Sequence, residues 1–181
     1  GRWRLDSEFV RDSALQLGGL LVMQEGGKSV KPNQPAGYWQ HLNFPQREWE
    51  NGKDSDLYRR GLYTFRCRSF PHPAMVSFDA PSREECCSQR SRSNIPQQAL
   101  VLLNDPSFVE AARKFAEQVL KFPGDEKAKI RFAWKEATSR PAIEEEVAVL
   151  AELYQGQKLI YSKQEADAKK LLSIGDAPGD A

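Results

Sequence analysis

The stretch from Asp79 to Asn104, DAPSREECCSQRSRSNIPQQALVLLN, decides how the whole chain is interpreted. Its first half is dense in charged, hydroxyl and amide side chains, and its second half contains the apolar run from Ala99 to Leu103. Such a run is typical of a helix that is buried in a core. We expect the polar half, which leads directly into that helix, to form a fixed hydrogen-bonded network rather than a solvated loop.

This stretch contains a candidate site for an anionic ligand. The planar guanidinium group of arginine binds a carboxylate or a sulfate through two parallel N–H donors. The residues that can converge on such a group are Asp79, Arg83, Arg90, Arg92, Asn94 and Gln98. The alternative, which we favour, is that acidic residues of the same stretch pair with the arginines, while the amides hold the turn and the helix ends.

Composition narrows the classes of function. The chain has 181 residues, of which 40% are hydrophobic and 28% are charged, as in an ordinary globular protein. The formal net charge of +1 argues against nucleic acid as a partner, because nucleic-acid binding needs a basic face. No apolar run reaches the length of about 18 residues that a transmembrane helix requires, so we expect no membrane span in this chain.

Hydrophobic periodicity predicts a mainly α fold. An amphipathic helix is predicted from Leu5 to Gln24, with Leu5 and Phe9 on its inner face. Capping residues and early prolines predict later helices that begin near residues 94, 105, 125 and 140, the first of them capped by Asn94. We expect residues 1–161 to form one irregular, bundle-like helical domain, and residues 162–181 to form a polar helical extension and a flexible tail.

The middle of the chain is predicted to be less regular. The segment from Lys28 to Asp56 has no helical period and too many aromatic residues for disorder, so we expect a long irregular loop. After it, Tyr63, Phe65 and Cys67 alternate with polar residues, which predicts a short strand with arginines on its outer face. The fold is therefore expected to contain at most one short β-strand or hairpin.

The long loop concentrates large aromatic rings at Tyr38, Trp39, Phe44 and Trp49. Tyr38, Trp39 and Trp49 are candidates for stacking on sugar rings, which would make a polysaccharide a partner of the chain. The alternative, which we favour, is that the rings anchor the loop to the body of the protein.

Cysteines and histidines do not indicate a metal or haem site within this chain. The three cysteines lack the CxxC spacing of zinc and redox sites. Cys67 and Cys86 can form a disulfide if the chain is exported, because a bridge between adjacent cysteines would be strained; three thiols are the alternative. His72 lies between two prolines and is expected to be exposed, and neither it nor His41 has ligand spacing. We therefore expect no metal and no cofactor in this chain.

Several of these motifs resemble a known family. FDAPSRE at residues 78–84 and R-S-R-S-N-x-P-x-Q-A-L-V-L-L-N-D-P-x-F-V-E-A-A at residues 90–112 are similar to the planctomycete-type domain of unknown function 1553. R-L-D-S-E-F-V-R-D at residues 4–12 and D-L-Y-R-R-G-L-Y-T-F at residues 56–65 fit as well, so the resemblance covers roughly residues 4–153. The matching positions in the central motif are Asp79, Pro81, Arg83, Cys86, Arg90, Arg92, Asn94, Pro96, Gln98 and Asn104.

The resemblance implies a cellular context rather than a reaction. In that family the domain forms the C-terminal part of large exported proteins that also carry a cytochrome-c-like domain. It therefore implies a periplasmic or cell-surface location and a neighbouring domain that holds haem c. The chain departs from the family pattern at Ser93 and Ile95, where threonines are more usual, and Cys87 is an additional cysteine.

Three hypotheses for function follow. The first is a non-catalytic docking module that binds the neighbouring domains of a large exported, cytochrome-containing protein. The second is a part of an enzyme site, in which the arginine and amide cluster binds an acidic or sulfated saccharide. The third is a carbohydrate-binding module that uses the aromatic loop. A docking module predicts an exposed apolar surface and paired arginines, whereas an enzyme predicts unpaired arginines that point into an open pocket.

Overall fold

The structure, a computed structural model, describes residues 3–41, 48–68 and 70–179. Phe44 and the side chain of His41 lie outside the described part. The described residues form seven α-helices and no β-strand beyond isolated bridges, so the predicted mainly α fold is confirmed. The helices are α1 (Ser7–Leu17), α2 (Pro73–Ser77), α3 (Pro96–Asn104), α4 (Pro106–Lys121), α5 (Glu126–Thr138), α6 (Glu144–Lys163) and α7 (Glu165–Leu172).

The first helix, α1, is shorter than the sequence predicts. It ends before Gly18, and Gly19 has a φ of 67°, in the left-handed region that commonly terminates helices. A Cβ atom on Gly18 would lie 2.8 Å from the carbonyl oxygen of Ala111 on α4. Glycine at this position therefore lets the end of α1 approach the backbone of α4, and the predicted continuation to Gln24 is wrong.

The buried face of α1 is mostly charged, which reverses the expected amphipathic pattern. Glu8, Arg11 and Asp12 are buried, whereas Leu5 and Phe9, which were predicted to face inward, are 53% and 49% exposed. The reason lies in what α1 packs against. Its buried face meets the backbone of an irregular loop, and buried backbone polar groups need hydrogen-bond partners that apolar side chains do not supply.

Charged side chains tie α1 to that loop. Arg11 donates hydrogen bonds of 2.6 and 2.8 Å to two backbone carbonyls in segment 57–59. The carboxylate of Asp12 accepts one of 2.6 Å from the amide of Gly61 and one of 3.2 Å from Nε of Arg60. These hydrogen bonds satisfy backbone groups of the loop, as the bonds between neighbouring strands satisfy those of a β-strand.

The strand predicted around Tyr63 does not form among the described residues. Val30 and Thr64 form a single parallel bridge, in which the amide of Val30 donates to Tyr63 at 2.8 Å and the amide of Phe65 donates to Val30 at 2.7 Å. The next donor of a parallel ladder would be residue 32. Because that residue is Pro32, which has no N–H, the ladder cannot continue.

The apolar core is small and lies between α1, α2 and α4. Its buried side chains come from these helices and from the loop that connects α1 to α2. They include Leu15, Val30, Leu57, Met75, Phe108 and Ala111. Much of the remaining interior is polar, so the body depends on specific hydrogen bonds as well as on apolar burial.

The starts of α4 and α5 agree with the sequence, whereas α6 begins at Glu144 rather than near residue 140 as predicted. Asp105 caps α4 by accepting a hydrogen bond of 3.0 Å from the amide of Ser107, and Asp125 caps α5 in the same way. Both starts were predicted from these residues and are confirmed. The N-cap position of α3 is Ile95 rather than the predicted Asn94, so that prediction is wrong by one residue.

The apolar face of α3 is exposed, although the sequence predicts its burial. Leu100 is 57% exposed and Leu103 is 72% exposed. These two leucines are three residues apart and so lie on the same side of the helix. Gln98 is the only residue of α3 that is fully buried.

The C-terminal helices bury little apolar surface. Phe122 and Phe132 stack with ring centroids 4.3 Å apart at the junction of α4 and α5. In α6 Val147 is buried, but Leu153 and Leu159 further along are 56% and 58% exposed. None of the described helices is long and apolar enough to cross a membrane.

The segment after α7 returns to the body. The side chain of Asn33 donates a hydrogen bond of 3.0 Å to Asp176, and the amide of Ala177 donates one of 2.6 Å to Glu110 on α4. The division of the chain into a domain of residues 1–161 and an extension of residues 162–181 stays a prediction.

Candidate functional site

Asp79 joins the end of α2 to the turn that precedes α3. Its φ of 60° is in the left-handed region, and its carboxylate accepts hydrogen bonds of 2.7 Å from both the amide and the hydroxyl of Ser93. These two bonds, the amide first, hold the pKa of Asp79 below its usual value. Buried Gln98 donates to the carbonyl of Ser93 at 3.3 Å and accepts from Arg4. Asp79 and Gln98 are therefore engaged in holding the turn.

Arg90 reaches across to α1 and pairs with Glu8. Its two terminal nitrogens lie 2.7 and 3.3 Å from the Glu8 carboxylate oxygens, and Arg66 also donates to that carboxylate. Burial alone would raise the pKa of Glu8, but the hydrogen bonds from Arg90, from its own amide and from Ser7 outweigh burial and lower the pKa to about 2. The guanidinium of Arg90 is thus already neutralised by a carboxylate of the same chain.

The remaining candidates lie apart from these two networks. Arg83, Arg92 and Asn94 are exposed, and none of them forms a hydrogen bond or an ion pair with the described residues. Arg83 has a φ of 64° and lies close enough to Arg66 to lower its pKa, after the larger effect of burial and the opposing attraction to Glu8. The six predicted residues thus form two internal networks and a set of exposed side chains, rather than one convergent cluster.

A surface pocket of about 410 Å³ lies beside this region. Asp79, Arg90, Cys86 and Cys87 are among its lining residues, whereas Arg83 and Arg92 are not. The cation that lines the pocket, Arg90, is engaged by Glu8. The pocket therefore does not present an unpaired arginine to an anionic ligand.

Cys67 is a buried thiol, and Cys86 and Cys87 are exposed thiols. The disulfide between Cys67 and Cys86 is absent from this structure and stays a prediction for the protein in an oxidising compartment.

The aromatic residues of the loop contact one another. The rings of Trp39 and Trp49 stack with centroids 5.5 Å apart, and Tyr38 lies 4.5 Å from Phe70 between centroids. Trp39 is 9% exposed, and its Nε1 donates a hydrogen bond of 2.7 Å to Gln34. The arrangement is that of a hydrophobic anchor. Sugar stacking on Tyr38, Trp39 or Trp49 stays a prediction.

His72 is buried, so the prediction that it is exposed is wrong. It packs edge-on against Trp49, and its Nε2 lies 3.3 Å from the carbonyl oxygen of Asn33. Burial, and then the nearby charge of Arg11, lower the pKa of His72 to about 4 against the opposing hydrogen bond to Asn33. Within the described ranges no group of three or more His, Cys, Asp or Glu side chains is arranged to hold a metal ion.

The sequence interpretation missed a second set of buried charged groups, which surrounds Arg11. Burial lowers the pKa of Arg11 to about 10, while attraction to Asp12, Asp105 and Glu110 opposes that shift. Burial raises the pKa of Asp105 to about 6, against the hydrogen bond from Ser107. One signal was present in the sequence: positions 8, 11, 12 and 15 share one face of a helix, and three of them are charged. The prediction placed Leu5 and Phe9 on the inner face instead.

Comparison with known proteins places the chain in a family. The model of the family PSD1, described as a protein of unknown function (DUF1553), matches residues 1–154. No curated protein and no solved structure matches the chain. The chain belongs to this family of unknown function, which confirms the resemblance found in the sequence.

Proposed function

We propose that the chain is a non-catalytic docking module of a large exported protein, and that α3 binds a neighbouring cytochrome-c-like domain. The observation that carries this proposal is the exposure of the leucines on α3. A helix that presents Leu100 and Leu103 to solvent at 57% and 72% exposure leaves apolar surface that a partner can cover.

The position of α3 supports a docking role. The helix is held to the body at its N-terminal end, where Gln98 bonds to Ser93 and Arg4, and at its C-terminal end, where Asp105 begins α4. A helix fixed at both ends presents its outer face in a defined orientation. Such rigidity reduces the conformational entropy lost on binding.

The arginines also favour docking over catalysis. Arg90 and Arg66 are paired with Glu8. Saturated pairs of this kind fix the position of the turn before α3 and leave no cation poised for a substrate in the adjacent pocket. The candidate residues that do have partners, Asp79, Arg90 and Gln98, thus stabilise the turn that leads into the docking helix.

The partner is proposed from the sequence resemblance. A neighbouring domain that carries haem c, in a periplasmic or cell-surface protein, would be the surface that α3 covers. On this proposal the haem belongs to the neighbour, and this chain contributes a contact surface rather than ligands.

Photocrosslinking in the exported parent protein tests the proposal. A photoreactive amino acid is placed at Leu103 and, as a matched control, at Leu172 of α7, which is 62% exposed. Crosslinked peptides are identified by mass spectrometry. We expect position 103 to crosslink to the haem-bearing domain and position 172 not to do so. Crosslinks from position 103 that are no more frequent than those from position 172 would contradict the proposal.

A ligand-binding role is the second candidate, because the pocket of about 410 Å³ is lined by Arg90 and by polar side chains. An acidic or sulfated saccharide in this pocket would have to compete with Glu8 for Arg90. Titration of the chain with a sulfated oligosaccharide tests this function, with Arg90→Ala as the variant and Arg92→Ala, outside the pocket, as the matched control. Saturable binding that Arg90→Ala abolishes in a folded variant and that Arg92→Ala retains would favour an enzyme or saccharide site over docking.

A further inference from the structure

The segment at residues 175–179 lies along α4 and is held there through its main chain. The amide of Ala177 donates a hydrogen bond of 2.6 Å to Oε1 of Glu110, and the carbonyl of Ala177 accepts one of 2.6 Å from Arg113. The carbonyl of Pro178 accepts one of 3.2 Å from Lys114. Binding through both donors and acceptors of the main chain is characteristic of sites that recognise peptides.

The groups that receive this segment are fixed by other contacts. Glu110 is 1% exposed, and its Oε1 also accepts a hydrogen bond of 2.9 Å from the hydroxyl of Tyr58. The side chain of Arg113 is 7% exposed and lies 3.2 Å from Glu117 one helical turn away. Buried side chains that are held in this way present a preorganised surface to a ligand.

Two positions of the segment restrict the residue type, the first through the available space and the second through a hydrogen bond. Gly175 has a φ of 94°, and a Cβ atom there would lie 2.2 Å from Cδ of Glu110. Any side chain at this position is therefore excluded twice, by the backbone conformation and by the carboxylate. The carboxylate of Asp176 accepts a hydrogen bond of 3.0 Å from Asn33, so the next position favours a side chain that can accept this bond.

We propose that α4 and the loop at Asn33 form a peptide-binding site for a Gly-Asp-Ala-Pro segment, which residues 175–178 occupy in cis. The main-chain bonds supply affinity, and the glycine and aspartate positions supply selectivity. The site is separate from the exposed face of α3 and does not depend on the docking role proposed for it. A second peptide of the same sequence binds only when the chain's own segment has left.

The test uses the full chain with the substitution Gly175→Val, which displaces the segment from α4. The probe is a fluorescein-labelled peptide with the sequence of residues 173–179, SIGDAPG, and binding is followed by fluorescence anisotropy. A tethered segment competes at an effective concentration of order millimolar, so we expect the peptide to bind Gly175→Val about a hundred-fold more tightly than the wild type. Gly179→Ala is the matched control, because its Cβ would lie 3.4 Å from Arg113, an ordinary contact, and it should behave as the wild type does.

Peptide variants separate this site from non-specific adhesion. A peptide with valine in place of the glycine, or alanine in place of the aspartate, is expected to bind the Gly175→Val chain at least about ten-fold more weakly. Equal binding of these peptides, or no binding of the original peptide to the folded Gly175→Val chain, would overturn the proposal.

Hydrogen exchange of the wild-type chain keeps the proposal testable if Gly175→Val does not fold. The amide of Ala177, which donates to Glu110, is expected to exchange at least about ten-fold more slowly than an unstructured amide. Exchange at the unstructured rate would show that α4 does not hold the segment, and the proposal would be wrong.

Discussion

Helices α1 and α3 use their faces in opposite ways. α1 turns Glu8, Arg11 and Asp12 into the protein, whereas α3 turns Leu100 and Leu103 out to solvent. The comparison shows that the apolar face of a helix is not always its inner face. The surface that a helix face meets determines which side chains that face carries. The charged side chains of α1 meet loop backbone that needs donors and acceptors, and the outer face of α3 is left uncovered by the described part of this chain.

The largest effect is expected from Arg11→Met, which removes the charge that α1 places at the centre of the body. The substitution leaves the two carbonyls of segment 57–59 without their donor and leaves nearby carboxylates uncompensated. We expect the free energy of unfolding to fall by about 3 to 5 kcal/mol, measured by urea denaturation. The control is Arg92→Met at an exposed position, which should change the free energy by less than about 0.5 kcal/mol. Similar stabilities for the two variants would show that the charged face of α1 is not structural.

The second effect is the dependence of stability on pH, because the titration of two buried groups near Arg11 changes the stability in opposite directions. The pKa of His72 is lowered from 6.5 to about 4, so between these values the unfolded chain binds a proton that the folded chain does not, and acidification destabilises the fold. The pKa of Asp105 is raised from 3.8 to about 6, so the folded chain holds the extra proton there and acidification stabilises the fold. The two contributions should nearly cancel between pH 7 and pH 4.5.

Substitution separates these contributions. In Asp105→Asn, which keeps a capping side chain, the loss from His72 should appear alone, and the free energy of unfolding should fall by about 2 to 3 kcal/mol from pH 7 to pH 4.5. In His72→Gln the stability should rise by about 2 kcal/mol over the same interval. Urea denaturation at the two pH values measures both. The same pH dependence in both variants would contradict the assignment. The contribution of Glu8, whose pKa is lowered from 4.5 to about 2, lies below this window, because its stabilisation is lost as the pH falls from 4.5 to about 2.

A third pair of variants compares the tightly packed body with the open C-terminal helices. In Gly18→Ala the new methyl group meets the carbonyl oxygen of Ala111 at 2.8 Å, so we expect the free energy of unfolding to fall by about 1 to 3 kcal/mol. In Gly156→Ala, on α6, nothing lies within 4 Å of the new methyl group, and alanine favours the helix. The free energy of unfolding of that variant should rise by about 0.5 to 1 kcal/mol. Thermal unfolding monitored by circular dichroism checks both signs.

The sequence predicted what depends on neighbouring residues and missed what depends on distant ones. Asp105 and Asp125 cap the helices that follow them, so the starts of α4 and α5 were correct. The end of α1 was missed because it depends on the approach of Gly18 to α4, which lies far along the chain. Periodicity shows that a helix has an apolar face but does not identify what covers that face, so the faces of α1 and α3 were both misassigned.

The candidate site divides in the same way. The expectation of a hydrogen-bonded network was correct for Asp79 and Gln98, which both bond to Ser93 within the same stretch. The partner of Arg90 is Glu8, which lies on a helix 82 residues away, so the sequence could not assign the pair. The burial of His72 likewise depends on Trp49 and Asn33 in the long loop.

The central claim is that the leucines of α3 serve a partner rather than the core of this chain. The most direct measurement uses the double variant Leu100→Ser/Leu103→Ser and determines both its free energy of unfolding and its affinity for the cytochrome-c-like domain of the parent protein. We predict that the free energy of unfolding changes by less than about 1 kcal/mol, since both positions are exposed. The affinity should fall by at least about thirty-fold, as expected for apolar residues at the centre of an interface. A variant that loses several kcal/mol of stability, or one that binds as the wild type does, would contradict the claim.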